Sequence, residues 1–242
     1  MDCCKNIQDV QVVILAGGLG THLRPITESI PKVMIEVNGN PFLEHQFNYL
    51  IRAGFKRFLL LVSYLGNVIE NYFNDGSKYS IKIDYSYEKE LMGTGGALKI
   101  ANSKLDDSFI LINGDTFYPL DYKDFMNSTS SIKDGGMIVV YDNREKIAVN
   151  NIKVEPDKAI SKYSKKNYTS DMNGVDGGIS FFSRDVLNLI PENKKLSLEE
   201  EIFPVLIKQR NLKAYFTDIR YYDIGTFERL EIIKNKNLFS KF

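Results

Sequence analysis

Apolar positions along this chain follow two different periods. Residues 10–16 form a nearly continuous apolar, β-branched run broken off by Gly17-Gly18, the pattern of a strand buried on both faces and ended by a turn. Over Phe42–Ala53 the period changes. Phe42, Leu43, Phe47, Leu50 and Ile51 recur at helical spacing between Pro41 and Gly54, which predicts an amphipathic helix. The alternation continues with a buried strand at 58–62, a short helix at 68–73, a strand at 81–85, a helix at 95–101 and a strand at 109–112 that runs into Asn113-Gly114-Asp115. Strand and helix at this pitch predict βαβ units and a mostly parallel sheet. The second half is more mixed. Strands are expected at 137–141, 147–154, 179–182 and 214–219. Helices are expected at 198–209, whose first turn carries Glu199, Glu200 and Glu201, and at 227–236. The expected fold class is α/β, a Rossmann-like mixed sheet with helices on both faces. It forms a single domain over residues 1–242, with residues 1–9 as a loose tail.

Composition narrows the function. The 242 residues include 31 basic and 31 acidic side chains, so the net charge is zero. A nucleic-acid partner held by phosphate neutralisation is not expected. The apolar run at 58–62 is far shorter than the roughly 20 residues of a membrane span, and the N-terminus lacks the apolar core of a signal peptide. No membrane partner and a cytoplasmic location are therefore expected. The two cysteines, Cys3 and Cys4, are adjacent and read as free thiols on the tail. Lys153, Lys158, Lys162, Lys165 and Lys166 form a basic stretch that reads either as a solvated hairpin or as a phosphate-facing lid.

The candidate chemistry is concentrated after the first strand, in Leu15-Ala16-Gly17-Gly18-Leu19-Gly20-Thr21-His22-Leu23-Arg24-Pro25, followed by Ile30-Pro31-Lys32. Three glycines in this place suit a backbone that approaches an anion closely, or a plain tight turn. No Gly-Lys-Ser/Thr closes a Walker loop, and the third glycine of a dinucleotide fingerprint is missing.

This segment resembles the signature of the sugar-1-phosphate nucleotidyltransferases. Leu91-Met92-Gly93-Thr94-Gly95-Gly96-Ala97 is similar to the second glycine loop of that family, Ile112-Asn113-Gly114-Asp115 to its metal-aspartate strand end, and Tyr222-Asp223-Ile224-Gly225-Thr226 to its late metal motif. The four matches occur in order over residues 10 to 235. Ser197-Leu198-Glu199-Glu200-Glu201-Ile202-Phe203-Pro204 resembles the short heptose-1-phosphate guanylyltransferases in particular. The resemblance implies the nucleotide-diphospho-sugar transferase fold and two substrates, an NTP and a sugar phosphate. A phosphate oxygen of the acceptor attacks the α-phosphorus, and pyrophosphate leaves. It implies Lys32, Arg24 and His22 as catalytic charges, and Leu15, Ala16, Gly17, Gly18, Gly20, Thr21, Glu88, Gly93, Thr94 and Asp115 as nucleotide contacts. Asp176, Gly177 and Glu199 would hold the acceptor. Asp115 and Asp223 would ligate Mg²⁺, whose preference for hard oxygen suits carboxylates and phosphates.

On their own, Asp115 also reads as a turn aspartate, Asp223 as a helix cap and Lys32 as a solvated lysine. Glu88, where the resemblance implies a base reader, accepts hydrogen bonds only; guanine offers two adjacent donors and cytosine one amine, so GTP is expected ahead of CTP. A cap or a pair with Lys89 is the other reading of Glu88. Three departures stand out. His22 replaces an arginine, so that Arg24 compensates, or a phosphate raises the histidine pKa, or turnover is weak. Tyr163-Ser164-Lys165-Lys166 lacks the glutamate of the family's Phe-x-Glu-Lys. Asp176 replaces an amide, and either binds sugar hydroxyls or marks a different acceptor. The expected activity is guanylyl transfer to a sugar 1-phosphate, such as a heptose 1-phosphate, for surface polysaccharide. The alternatives are cytidylyl transfer to a non-sugar phosphate, a weakly active nucleotide-sugar sensor, or a scaffold that binds no nucleotide. The sequence assigns no oligomeric state.

Overall fold

The computed structural model describes residues 6–236 and 238–241; Cys3 and Cys4 lie outside them. Seven strands form the central sheet: β1 (Gln11–Leu15), β2 (Arg57–Val62), β3 (Lys82–Tyr87), β4 (Ser108–Asn113), β5 (Gly136–Tyr141), β6 (Val175–Ser183) and β7 (Leu212–Thr217). Their spatial order is β7-β5-β6-β4-β1-β2-β3. All neighbours are parallel except β6, which runs antiparallel to both β4 and β5. That reversal matters for the site, because it brings the start of β6 to the edge where β1 and β4 end.

Alternation along the strands explains why apolar runs were needed. Val12 and Ile14 face one side with Phe58, Leu60 and Ile110; Val13 faces the other with Leu59, Leu61 and Leu111. Both sides are covered, so Val12–Leu15, Phe58–Val62 and Phe109–Ile112 are apolar throughout. Helices α1 (Phe42–Ala53), α2 (Gly66–Phe73) and α4 (Tyr122–Ser128) contribute to the first side. Helices α3 (Gly93–Ile100) and α5 (Phe203–Lys208) contribute to the second. Phe47 on α1 packs edge-on against Phe58 and Phe73 at centroid distances of 4.9 and 5.0 Å. Burying such a ring contributes about 1.5–3 kcal/mol. A third apolar cluster joins Leu23, Ile35, Val37 and Phe42 to Ile224, Leu230 and Ile233, the last two on helix α6 (Phe227–Asn235), and to Leu238.

Several expected elements change. Of 147–154 only Ile152–Val154 is a strand, and it pairs with Ile160–Tyr163 in a separate hairpin. The expected helix at 198–209 opens with a π turn, Leu198–Ile202, and only then becomes α5. Pro204 has no amide hydrogen to donate, which suits the first turn of a new helix and not the interior of a long one. Helix α4 was not expected; Asp121 caps it by accepting from the amides of Lys123 and Asp124. Within the segment expected as a tail, Ile7–Asp9 forms a 3-10 turn, and Ile7 packs on the first core cluster. No helix among the described residues is long and apolar enough to cross a membrane.

Candidate active site

The carboxyl ends of β1 and β4 open into a cleft of about 570 Å³. Leu15, Ala16, Gly17, Gly18, Gly20, Thr21, Glu88, Gly93, Thr94 and Asp115 all line it, together with Lys32 and Glu199. The glycine loop is fixed through its carbonyls. Ser63 Oγ donates to the Gly17 carbonyl at 2.7 Å, and Thr27 Oγ1 donates to that of Gly20 at 2.9 Å. The amides of residues 17–21 have no hydrogen-bond partner among the described residues. A row of free amides beside a cleft is an anion cradle. Gly18 sharpens this reading: a Cβ there would meet nothing within 4 Å, so no protein contact requires glycine at that position. Gly93 has a different reason, a φ of +75° and a Cβ position only 2.4 Å from the Leu196 carbonyl oxygen.

Lys32 opens a 3-10 turn whose next residues, Val33 and Met34, are buried, and this anchors its stem beside Gly20. Its Nζ donates to Asp115 Oδ2 at 2.5 Å across the cleft. Glu88 Oε2 accepts from the Met92 amide at 3.0 Å, so it caps the second glycine loop from within the cleft. Burial raises its pKa against the opposing effect of that amide.

A second cavity of about 480 Å³ adjoins the first and shares Asn113, Lys165 and Glu199 with it. Asp176 and Gly177 line it. Strand β6 loses register with β5 between Asp176 and Ser180, and this bulge turns its start into the cavity. Asp176 Oδ1 accepts from the Gly178 amide and Oδ2 from the Tyr163 hydroxyl, both at 2.9 Å. Burial raises the Asp176 pKa, and Glu199 raises it further, against Gly178, Tyr163 and Lys165. For Glu199 burial also acts upward, but Lys165 and the Ser197 and Thr94 hydroxyls together leave it below the usual carboxylate range.

Three expected site residues stand apart. His22 and Arg24 are exposed and outside the cleft lining, because Leu23 between them is fully buried and turns both neighbours outward. Asp223 pairs with Thr116 in a short antiparallel ladder next to Asp115, but its carboxylate lines another cavity. There it accepts from Arg229 Nη1 at 3.0 Å on each oxygen. No group of three or more metal-ligating side chains occurs among the described residues. The residues nevertheless suit a divalent cation in kind: two hard carboxylates beside one short ladder, Asp223 on one of its strands and Asp115 in the turn that precedes the other, each already paired with a single internal cation, Arg229 or Lys32. Sequence reasoning missed Asn113, Lys195 and Arg229 as cavity residues. Asn113 sat inside a quoted motif; nothing in the local pattern marked the other two. Of the basic stretch, Lys165 alone lines these cavities, while Lys162 and Lys166 pair with Asp171 and Glu200 at the surface.

A parallel sheet with one reversed strand, an amide cradle at the end of β1 and a lysine–aspartate pair across the cleft define a nucleotide-binding transferase of the α/β class. Residues 11–238 match the family described as Nucleotidyl transferase, and the chain belongs to that family. It is 33% identical over 219 residues to D-glycero-alpha-D-manno-heptose 1-phosphate guanylyltransferase of Campylobacter jejuni, covering 90% of this chain and 96% of that one. It is 32% identical over 225 residues to mannose-1-phosphate guanylyltransferase of Mycobacterium tuberculosis, where it spans 62% of the relative's length and 90% of its own. The crystal structure of HddC from Yersinia pseudotuberculosis complexed with GMP-PN superposes with a TM-score of 0.77 at 30% identity, covering 94% of this chain and 99% of that one.

Proposed function

We propose that this chain is a sugar-1-phosphate guanylyltransferase that transfers GMP from GTP to a heptose or hexose 1-phosphate, acting as a single domain. The observation that carries the reading is the junction of two cavities. An amide cradle with Lys32 suits a triphosphate, and an adjoining polar cavity with Asp176 and Lys165 suits a phosphorylated sugar. The relatives named above support guanine as the base and heptose ahead of mannose as the acceptor.

In the proposed reaction an acceptor phosphate oxygen forms a bond to the α-phosphorus. The bond to the β-bridging oxygen breaks, and its electron pair leaves with pyrophosphate. No protein nucleophile is required, since the attacking phosphate is already ionised. The amides of residues 17–21 hold the triphosphate, and Lys32 stabilises charge on the α-phosphate as the bond order changes. Asp115 and Asp223 would hold Mg²⁺, which supplies charge neutralisation for the leaving pyrophosphate. Glu88, within the cleft, is the proposed partner of the guanine N1 and N2 hydrogens. The proposed setting is the cytoplasm, with two small anionic substrates and neither nucleic acid nor membrane as partner. Because His22 lies outside the cleft lining, its departure from arginine gives no reason to expect a catalytically weak sensor.

Pyrophosphate release is the test. The protein with Mg²⁺, each NTP in turn and a panel of phosphomonoesters should give release with GTP and a heptose or mannose 1-phosphate. Release only with CTP, or none with any pair, overturns the proposal.

A further inference from the structure

Gln46 is a polar side chain in the core, only 3% exposed. It stands on α1 next to Phe47, and the packing of that ring against Phe58 and Phe73 anchors the helix there. Gln46 Nε2 donates to the Asn113 carbonyl at 3.1 Å and to the Thr116 carbonyl at 2.6 Å. Both acceptors are carbonyl oxygens, so the side chain must present its nitrogen to them, and both amide hydrogens are used. The amide oxygen, by contrast, is buried without a hydrogen-bond partner among the described residues. Burying an unmatched amide oxygen is unfavourable. Stability alone would place an apolar side chain at this point of the core. What the glutamine supplies instead is a clamp from Asn113 to Thr116, with Gly114 and Asp115 inside it.

The clamped turn reaches both carboxylates that suit a divalent cation. Asp115 lies between the two bonded carbonyls. Its own carbonyl accepts from the Ile224 amide at 3.0 Å, and Thr116 pairs with Asp223 in the short ladder. Thr116 Oγ1 also donates to Asp115 Oδ1 at 3.2 Å. On the other side the Gly114 amide donates to the Leu15 carbonyl at 3.0 Å, at the end of β1. Resting on the proposed function, we propose that Gln46 is a positioning residue for the divalent cation of the reaction. It lines neither cavity and so acts only through the backbone it holds. By tying Asn113 and Thr116 to one amide, it fixes the turn that carries Asp115 and the ladder that carries Asp223. The relative placing of the two carboxylates is then set before the ion arrives. Groups that orient metal ligands in this way contribute ~10–100-fold to metal affinity.

The test is calorimetry with a non-hydrolysable GTP analogue, in chelator and over a series of Mg²⁺ concentrations, on the unmodified protein, Gln46→Met, Gln46→Asn and Asp115→Asn. Mg²⁺ should tighten the analogue on the unmodified protein, and Asp115→Asn, which removes a ligand outright, sets the size of a full loss. Gln46→Met keeps the shape of the side chain and removes its donors. The Mg²⁺ concentration that gives half of the tightening should rise ~10–100-fold in this variant. Its Kd in chelator should stay within about twofold of the unmodified protein, because the amides of residues 17–21 and Lys32 are untouched. Gln46→Asn retracts the donors by one methylene and should shift the Mg²⁺ dependence in the same direction. Thermal unfolding checks that each variant is folded, and if Gln46→Met is not, Gln46→Asn decides. An unshifted Mg²⁺ dependence in the folded variant overturns the assignment. So does a loss of binding in chelator as large as the loss of Mg²⁺ affinity, which would mark a general support of the fold. An unmodified protein that binds the analogue equally well with Mg²⁺ and with chelator overturns this inference alone. One that binds no analogue defeats the proposed function itself, and this inference with it.

Discussion

Gly18→Ala separates binding from stability at one atom. The added Cβ meets no protein atom within 4 Å, and the residue does not have the left-handed φ that strains a side chain. In the free protein the substitution should therefore be neutral or stabilising, by at most ~0.4–1 kcal/mol through reduced freedom of the unfolded chain. The methyl group instead occupies space beside the amides of residues 17–21, which the proposed triphosphate must reach. Displacing one phosphate oxygen from one amide forfeits a charge-assisted hydrogen bond, about 1.5–3 kcal/mol, or ~10–150-fold in Kd. Thermal unfolding without nucleotide and calorimetry with a non-hydrolysable GTP analogue measure the two effects. Gly93→Ala is the control from the other loop. Its left-handed φ costs ~1–2 kcal/mol, and its Cβ would sit 2.4 Å from a carbonyl oxygen, so its Tm should fall clearly. If Gly18→Ala binds the analogue as tightly as the unmodified protein, the amide cradle is misassigned. If instead it unfolds at a much lower temperature, the loop packs differently from the geometry described above.

Three further outcomes follow from the same geometry. Lys32→Met should lower kcat/KM by about 10²–10³-fold, and a near-normal rate with GTP and a sugar 1-phosphate would exclude Lys32 from the charge-stabilising role. Glu88→Gln should stabilise the ligand-free protein near neutral pH: burial raises the folded pKa of Glu88, so its favourable contribution exists at low pH and is lost as pH rises through that folded value. The difference in Tm between variant and unmodified protein should shrink as pH falls below the ordinary glutamate range, and a difference independent of pH would refute the sign. Phe47→Ala, in the fully buried cluster with Phe58 and Phe73, should cost ~3–5 kcal/mol in urea unfolding; a loss under 1 kcal/mol would mean that the α1 face repacks freely.

The first half of the fold was legible because its signals are local. Residues 10–16 alternate between two covered faces, Pro41 and Gly54 bracket α1, and Asp115 sits just beyond the apolar β4. The candidate site within that half was partly legible for the same reason, since the glycine loop and Asp115 lie within a few residues of the ends of β1 and β4. What failed depends on pairings distant in sequence. The Lys165–Glu199 contact joins a hairpin to a π turn, and neither segment announces the other. His22 and Arg24 face outward because Leu23 is claimed by the third apolar cluster, part of which comes from residues 224–238, far along the chain. The periodicity over 198–209 ran smoothly through Pro204 and concealed the break that its missing amide imposes.

That third cluster carries a consequence for how the protein becomes competent. Leu23 lies directly after the amide cradle, and the surface it rests on is completed by Ile224, Leu230, Ile233 and Leu238. The strand and loop that begin the site emerge from the ribosome long before the residues that hold them from beneath. A nascent chain truncated before α6 can pair β1 with β2 and β4, yet it lacks the support under the turn that follows the loop. Nucleotide binding should therefore arise only after α6 has emerged and docked. In arrested chains of increasing length it would report the docking of α6 rather than formation of the central sheet.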